Sequence, residues 1–201
     1  MRIYAEALLD GGGETFGSMI LETVADLNLT PGRAFEVCSG YGAIGYRLLE
    51  RDLCDHLVLG DINPKALELA RRTASSNGLE NVTIYETDCL DGIPNSERWD
   101  LVIGNPPHFD EPFEIVAPRI GHFWPIGSFH QRIWRDPNWS IHARFFAGIS
   151  QYLAEDGVIV LCETWDGSKP ETFATMIADA GLRYEVVPGD ERYYMIVARR
   201  I

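Results

Sequence analysis

Short apolar segments recur along the chain, and Gly, Pro or Asp residues bound them. They are too short to be buried helices and are rich in Val, Ile and Leu, which favours buried β-strands. The pattern therefore predicts strands at residues 34–38, 56–59, 82–85, 101–103 and 158–162.

The clearest helical pattern covers residues 64–77, soon after the second predicted strand. Asn63 is a favourable N-cap, Pro64 suits the first helical turn, and Gly78 follows the last helical position. Strands and helices alternate along most of the chain in the same way. This alternation predicts an α/β fold of βαβ units around a mostly parallel sheet, with ligands at the carboxyl ends of the strands.

Two more helices and a hairpin are predicted nearer the C-terminus. One helix covers residues 137–153, and another covers residues 168–181, where Ser168 and Glu171 match a capping box. The last stretch predicts a β-hairpin, with an antiparallel strand at the edge of the sheet, and its arms are residues 182–187 and 193–198.

Composition narrows the class of protein. The 201 residues, with 46% hydrophobic and 23% charged, are typical of one globular domain. No signal peptide or membrane span is predicted, so we expect a cytoplasmic protein without a membrane partner.

The net charge of -13 repels phosphate backbones and disfavours a large nucleic-acid interface. The cysteine spacing predicts buried free thiols, and we expect no metal site.

A glycine-rich turn follows the first predicted strand. Gly40, Gly42 and Gly45 match the G-x-G-x-x-G spacing, and Asp61 follows the next strand. Glycines let the backbone approach a ligand closely, and a carboxylate at this position can accept both ribose hydroxyls of an adenosine. Taken alone, the match fits an ordinary strand-to-helix turn as well as a dinucleotide site.

Three further features indicate a ligand other than NAD. Glu36 lies near the end of the first strand, where a carboxylate suits a cationic ligand better than a pyrophosphate. Asp88 and Cys89 follow the third strand, where they can meet the amine and ring of adenine. The fourth strand is followed by Asn105, Pro106, Pro107 and His108.

With these residues the chain resembles the class I S-adenosylmethionine-dependent methyltransferases, in the branch with an NPPY-type motif. That branch includes methyltransferases of protein glutamine, of adenine N6 and of cytosine N4. The likeness runs from about residue 15 to the C-terminus, through the ordered segments EVCSGYGAIG, LVLGDINPKALELAR, TIYETDCL and WDLVIGNPPHF. It implies a Rossmann-like fold with a mostly parallel seven-stranded sheet, an antiparallel C-terminal hairpin strand and helices on both faces.

The resemblance also implies where S-adenosylmethionine binds and where its product, S-adenosylhomocysteine, is left. The methionine part faces Glu36 and the glycine-rich loop, the ribose faces Asp61, and the adenine faces Asp88 and Cys89. Two residues depart from the family pattern, since Cys38 replaces the usual first glycine and His108 replaces an aromatic residue. The predicted cofactor-binding residues are Glu36, Cys38, Gly40, Gly42, Asp61, Ile62, Asp88, Cys89 and Asn105.

The residues after the fourth strand suit methylation of a conjugated nitrogen. Its delocalised lone pair attacks a sulfonium methyl poorly unless the nitrogen is held in line. The Asn105 side-chain oxygen and the Pro106 carbonyl can accept two N–H bonds from one amino group. Two roles stay open for His108: its ring stacks on a planar substrate, which we favour, or it accepts the proton lost after transfer.

An insertion at about residues 106–139 is expected to select the substrate. Its acidic residues can bind a cationic or guanidino group, or can form an ordinary solvated face. Arg119, Arg132, Arg135 and Arg144 can instead form a stacking groove for nucleic-acid bases. His108, His122, His130 and His142 match no metal-ligand spacing and are expected to be scattered loop residues. The predicted substrate-binding residues are Pro107, Phe109, Asp110, Glu111 and Trp124.

Three classes of function remain open. The leading one is N-methylation of an amide, amino or guanidino nitrogen on a small molecule or a protein side chain. The second is N-methylation of a nucleic acid, at adenine N6 or an RNA base, and the third is S-adenosylmethionine binding without catalysis. Residues 1–18 are expected to form an N-terminal segment that closes as a lid or frays, and residues 19–201 to form the single methyltransferase domain.

Overall fold

The computed structural model describes residues 1–6, 13–29, 31–120 and 133–201. None of the helices in this part of the chain is long and apolar enough to cross a membrane. The helices are α1 (Gly13–Asp26), α2 (Ala43–Glu50), α3 (Pro64–Ser76), α4 (Phe113–Ile120), α5 (Ser140–Ile149) and α6 (Pro170–Asp179). The strands are β1 (Arg33–Val37), β2 (His56–Asp61), β3 (Val82–Glu86), β4 (Trp99–Gly104), β5 (Leu153–Thr164), β6 (Leu182–Pro188) and β7 (Tyr193–Arg200).

In the described part of the chain, the seven strands form one sheet in the order β3-β2-β1-β4-β5-β7-β6. β1 pairs in parallel with β2 and β4, and β3 and β5 continue the parallel sheet on either side. β7 runs antiparallel to both β5 and β6. The mostly parallel sheet with an antiparallel hairpin strand is confirmed. Its predicted place at the edge is wrong, because β7 inserts between β5 and the edge strand β6.

Apolar layers cover both faces of the sheet, as the resemblance implied. On one face α1 and α2 contribute Ile20, Leu21 and Tyr46, which are fully buried. On the other face α5 and α6 contribute Phe146 and Phe173, which are also fully buried. Burial of an apolar side chain of this size contributes about 1.5–3 kcal/mol. The two layers therefore fix the strand ends relative to the helices.

The local signals that predicted α3 act as expected. Asn63 Oδ1 accepts the Lys65 N–H at 3.1 Å, and Pro64 occupies the first turn. Gly78 follows the helix with φ of +64°, a left-handed conformation that favours glycine. The helix ends at Ser76, one residue before the predicted end.

The helix predicted over residues 137–153 is wrong in extent. Pro137–Trp139 form a separate 3₁₀ turn, α5 ends at Ile149, and Leu153 already belongs to β5. Asn138 and Trp139 both have φ of +54°, and these left-handed residues break the path between the turn and α5.

The capping box predicted at the start of α6 is also wrong. The residue before the helix is Lys169, which makes no side-chain cap. Ser168 Oγ instead accepts the Thr164 N–H at 3.0 Å, within the turn that follows β5. A contact within this turn, between residues four positions apart, has therefore taken the hydroxyl that the pattern assigned to the helix.

The N-terminal residues are tied to the domain. α1 runs across residue 18, where a boundary was predicted, and packs its apolar side against the sheet. Before it, the Arg2 N–H donates to Asn77 Oδ1 and the Tyr4 N–H donates to Thr73 Oγ1, each at 3.0 Å. These contacts attach residues 1–6 to the end of α3.

Alanine substitution should separate two helical glycines, Gly45 and Gly17. A Cβ on Gly45 would lie 2.6 Å from Glu36 Oε2 and 2.7 Å from Leu57 Cδ1, whereas a Cβ on Gly17 would lie 3.4 Å from Ile44 Cγ1. We expect G45A to lower the free energy of unfolding by about 1–3 kcal/mol through overpacking. We expect G17A to keep or raise the free energy of unfolding, because alanine is more favourable than glycine in a helix by about 1 kcal/mol. Urea denaturation measures both variants, and equal stability would contradict this packing.

Candidate active site

The carboxyl ends of β1 to β5 lie along one edge of the sheet, because these strands are parallel. β1 is central, with β2 on one side and β4 on the other. α2, which follows β1, packs on one face of the sheet, and α5, between β4 and β5, packs on the other. The strand order reverses at this point, and such a reversal leaves a crevice where ligands bind.

The loop after β1 turns sharply at this crevice. Cys38, Gly40 and Gly42 have φ of +53°, +54° and +81°. Cys38 thus meets a backbone requirement that suits glycine, at a cost of about 1–2 kcal/mol. Burial raises the pKa of the Cys38 thiol well above its usual range, so the side chain is a neutral, small apolar group.

Glu36 points into the protein at the start of α2. It is 2% exposed, and its Oε2 accepts the Gly45 N–H at 2.8 Å. The carboxylate therefore lies at the positive end of the helix. The third glycine of the motif permits close packing, since a Cβ there would clash with Leu57 and Leu59 of β2. Binding of a ligand by Glu36 stays a prediction.

Asp61 ends β2 beside the loop after β1. Its Oδ2 accepts the Gly40 N–H at 2.7 Å, and its Oδ1 accepts the Asn63 N–H at 2.8 Å. Burial raises the pKa of the Asp61 carboxyl despite these two hydrogen bonds. The neighbouring Ile62 is 50% exposed. A carboxylate next to an exposed apolar side chain fits a ligand with hydroxyl groups and a flat apolar part.

Asp88 and Cys89 follow β3, and Asp88 has a partner within the protein. Asp88 Oδ1 accepts from Arg144 Nη2 at 2.7 Å, and Arg144 also reaches Asp91. Cys89 is buried with φ of +62°, and burial raises the pKa of its thiol to about 12. An ion pair therefore borders the side of the crevice that was predicted to hold adenine.

The motif after β4 is largely buried. A small apolar pocket adjoins Pro106, between the ends of β1 and β5 and helix α5. The Phe109 N–H donates to the Trp134 carbonyl at 3.1 Å, which ties the motif to the segment before α5. Asn105 is half-buried, and the residues after it are buried: Pro106, Pro107, His108 and Phe109.

The residues predicted to bind substrate differ in their surroundings. Phe109 is 4% exposed and stacks on Trp134 at a centroid distance of 6.3 Å, so it presents no open platform. Asp110 Oδ1 accepts the Asn138 N–H at 2.5 Å. Glu111 is exposed. Several predicted residues lie outside the described part of the chain, namely Trp124, His122, His130 and Arg132.

Sequence reasoning missed a buried chain of four side chains that begins at His108. His108 Nδ1 lies 3.3 Å from Glu163 Oε2, and Glu163 Oε1 lies 3.0 Å from His142 Nε2. His142 Nδ1 lies 2.7 Å from Asp136 Oδ2. His108 is 8% exposed and the other three residues at most 1%. The chain joins the ends of β4 and β5 to the start of α5.

The two carboxylates hold His142 in its charged form. Burial by itself lowers the pKa of His142, but Glu163 and Asp136 outweigh burial and raise it to about 9. Burial opposes ionisation of both carboxyls too, yet the contacts with His142 lower the pKa of Glu163 and of Asp136. Asp136 also accepts the Ile141 N–H at 2.8 Å, at the positive end of α5. One imidazolium therefore lies between two buried carboxylates.

The expectation of scattered loop histidines is wrong for His142, which lies in α5. The available signal was Glu163, because a carboxylate at the end of a buried strand needs a partner. Its partners His142 and His108 are 21 and 55 residues away, so no local pattern identifies them.

Within the described ranges, no group of His, Cys, Asp or Glu side chains is arranged to hold a metal ion.

Comparison with known proteins identifies related sequences. The methyltransferase small domain family matches residues 2–117. The ribosomal RNA small subunit methyltransferase C of Haemophilus influenzae is 32% identical over 108 residues, which are 54% of this chain and 30% of that protein. The release factor glutamine methyltransferase of Fusobacterium nucleatum is 30% identical over 92 residues, which are 45% of this chain and 26% of that protein. The aligned part spans less than a third of either relative.

A solved structure shares the fold. The ribosomal protein L11 methylase of Lactobacillus delbrueckii subsp. bulgaricus superposes with a TM-score of 0.66 and covers 90% of this chain and 76% of that one. Its sequence identity is 12%, so the likeness concerns the fold alone.

His142→Gln should flatten the pH dependence of stability between about pH 7 and pH 9. An unfolded histidine has a pKa near 6.5, whereas His142 in the folded protein has a pKa of about 9. The bound proton stabilises the fold fully below the unfolded pKa, and this stabilisation is lost as pH rises toward the folded pKa. In the wild-type protein, the free energy of unfolding should therefore fall by up to about 1.4 kcal/mol for each unit that the pH rises.

Urea denaturation across this pH range measures the slope. His56→Gln is the matched control, because burial lowers the pKa of His56, in the direction opposite to that of His142. Wild type and H56Q should share a slope, and H142Q should have a shallower one. An unchanged slope in H142Q would contradict the charged state of His142.

Proposed function

The chain belongs to the methyltransferase small domain family, and on that premise we propose that it transfers a methyl group from S-adenosylmethionine to a neutral amide nitrogen of a protein side chain or small molecule. One observation carries the proposal. Asp61 stands at the end of β2 and Asn105 follows β4, on either side of the central strand β1. A residue suited to ribose and a residue suited to an amino group thus border one crevice.

The residues at this crevice fit S-adenosylmethionine. Asp61 offers a carboxylate to the ribose hydroxyls, and Ile62 offers an exposed apolar surface to one face of adenine. Gly40 and Gly42 bring bare backbone to the methionine part, in left-handed conformations. S-adenosylmethionine supplies an electrophilic methyl group on a positively charged sulfur. Acidic surroundings, in a chain of net charge -13, favour such a cation.

Asn105 and Pro106 are proposed to orient the acceptor. An amide nitrogen has a delocalised lone pair and two N–H groups in one plane. The Asn105 side-chain oxygen and the Pro106 carbonyl accept one N–H each, which turns the remaining lobe toward the methyl group. Pro106 restricts the backbone of Asn105, so less freedom is lost when the acceptor binds.

Charges near the site favour a neutral acceptor that carries no phosphates. Arg144, after β4, pairs with Asp88, and Arg192, before β7, pairs with Asp166. A phosphate backbone would have to compete with these carboxylates. The carboxylate of Asp110, predicted to select a cationic substrate, accepts the Asn138 N–H, which weakens the case for a guanidino acceptor.

Nucleic-acid methylation is the second candidate. It is supported by the likeness to a protein named ribosomal RNA small subunit methyltransferase C, at 32% identity over 108 residues. The exocyclic amine of adenine also presents two N–H groups in a plane, so the same two acceptors suit it. This candidate predicts binding that weakens steeply with salt.

Transfer of tritiated methyl groups from S-adenosylmethionine tests the proposal. The probes are a glutamine-containing peptide, free glutamine and ribosomal RNA. We expect label in the peptide or in glutamine. Asn105→Ala should lower kcat by about a hundredfold or more, because it removes one of two acceptors that act in the transition state. Asn95→Ala, in an exposed turn, is the matched control and should keep full activity.

The outcomes separate the candidates. Label found only in RNA would favour nucleic-acid methylation, the second candidate. Label in none of the probes would contradict the proposed amide methylation. Full activity of N105A would remove Asn105 from the mechanism. Urea denaturation of N105A shows whether the variant retains its fold.

A further inference from the structure

His108 Nε2 is buried and has no hydrogen-bond partner among the described residues. An unpaired buried polar atom costs about 1–3 kcal/mol. Such atoms are rare in folded proteins and call for a ligand or another explanation. His108 follows the pair of prolines after Asn105. Its unpaired nitrogen therefore belongs to the same short segment that is proposed to hold the acceptor.

The buried network fixes which nitrogen of His108 carries hydrogen. His142 contacts Asp136 with one ring nitrogen and Glu163 with the other, and so keeps both carboxylates ionised. An ionised carboxylate only accepts hydrogen bonds. His108 Nδ1, at 3.3 Å from Glu163 Oε2, must therefore be the donor. In the neutral ring, Nε2 is then an acceptor with a lone pair.

The surroundings of the His108 ring leave little surface for stacking. Phe16 and Phe109 meet the ring edge-on, at centroid distances of 6.0 and 6.4 Å, and Tyr193 lies at 6.2 Å. The His108 side chain is 10% exposed. Tyr193 is also titratable, but burial raises its pKa and keeps it neutral. Among the described residues, Glu163 is the charged group within hydrogen-bond distance of the ring.

We propose that His108 is the proton acceptor of methyl transfer. Glu163 and His142 are positioning residues that keep hydrogen on Nδ1 and leave the lone pair of Nε2 available to accept the proton. The inference rests on the proposed function. A neutral nitrogen that gains a methyl group acquires a positive charge and must release one proton. The N–H bond breaks, its electron pair stays on the nitrogen, and the proton binds the lone pair of His108 Nε2.

Proton uptake by Nε2 changes the net charge of the network. With His108 neutral, the buried group holds two carboxylates and one imidazolium, an excess of one negative charge. A proton on Nε2 makes His108 a second imidazolium and balances the group. The Glu163 carboxylate then faces a cation, which follows the logic by which a buried carboxylate supports a catalytic histidine in hydrolases.

The first test is independent of methyl transfer. Long-range proton–nitrogen NMR on the protein without cofactor reports which imidazole nitrogen is protonated. We expect His108 to carry hydrogen on Nδ1 and none on Nε2. Glu163→Gln should shift the ring toward the Nε2–H form, while the His56 signals, from a ring outside the network, stay unchanged. A protonated Nε2 in the neutral wild-type ring, or the same tautomer in E163Q, would overturn the inference.

The second test uses the acceptor that takes label from wild type. His108→Phe keeps an aromatic ring and His108→Gln keeps a polar side chain, but neither accepts a proton. Both should lower kcat by about a hundredfold or more, with the KM for S-adenosylmethionine within about twofold of wild type. Added imidazole should restore part of the activity of His108→Ala and none to H108F. His56→Gln is the control and should behave as wild type.

Different results would overturn the role of His108 and the proposed function. Wild-type kcat in H108F would mean that an aromatic ring suffices, and it would overturn the inference while the proposed function stands. No label in any probe would count against the proposed function, and the NMR result alone would then decide the position of the proton. Should E163Q not fold, the wild-type tautomer and the imidazole rescue decide between the two roles of His108.

Discussion

Parallel pairing of β1 with strands on both sides is the constraint on which the site depends. Because β2 and β4 run in the same direction as β1, their carboxyl ends open at the same edge of the sheet. The helices that follow β1 and precede β5 lie on opposite faces, which leaves the end of β1 covered by its own loop. Contact between Glu36 and Gly45 holds α2 against the sheet, so the loop keeps its left-handed turns. The crevice is thus set by topology, and its chemistry by the residues that end or follow each strand.

A second, buried interaction joins this crevice to the rest of the domain. Removing two carboxylates from water costs several kcal/mol per ion unless each is paired. His142 pairs with both Asp136 and Glu163, which connects the start of α5 to the end of β5. The remaining oxygen of Glu163 meets His108 in the loop after β4. The arrangement that offsets the cost of the buried charges therefore also orients a ring at the candidate active site.

The sequence predicted those features that neighbouring residues determine. Asn63 caps α3, and the spacing of Gly40, Gly42 and Gly45 marks a turn and a close helix contact that are both present. It failed where a side chain makes a different contact, or the backbone takes an unusual conformation, that the pattern does not reveal. Ser168 turns back to the end of β5, and the helix predicted from residue 137 begins later because two left-handed residues precede it. The links of Glu163 to two histidines cross the fold, and no spacing rule describes them.

The family and the fold follow from ordered motifs and a matching sheet, whereas the roles of single residues rest on where the cofactor and acceptor bind. A crystal structure of the protein with S-adenosylhomocysteine tests this most directly. We expect the ribose hydroxyls on Asp61 and the sulfur between the loop after β1 and Asn105, with His108 Nε2 open to the same space. S-adenosylhomocysteine bound elsewhere, with no contact to Asp61 or Asn105, would contradict the account.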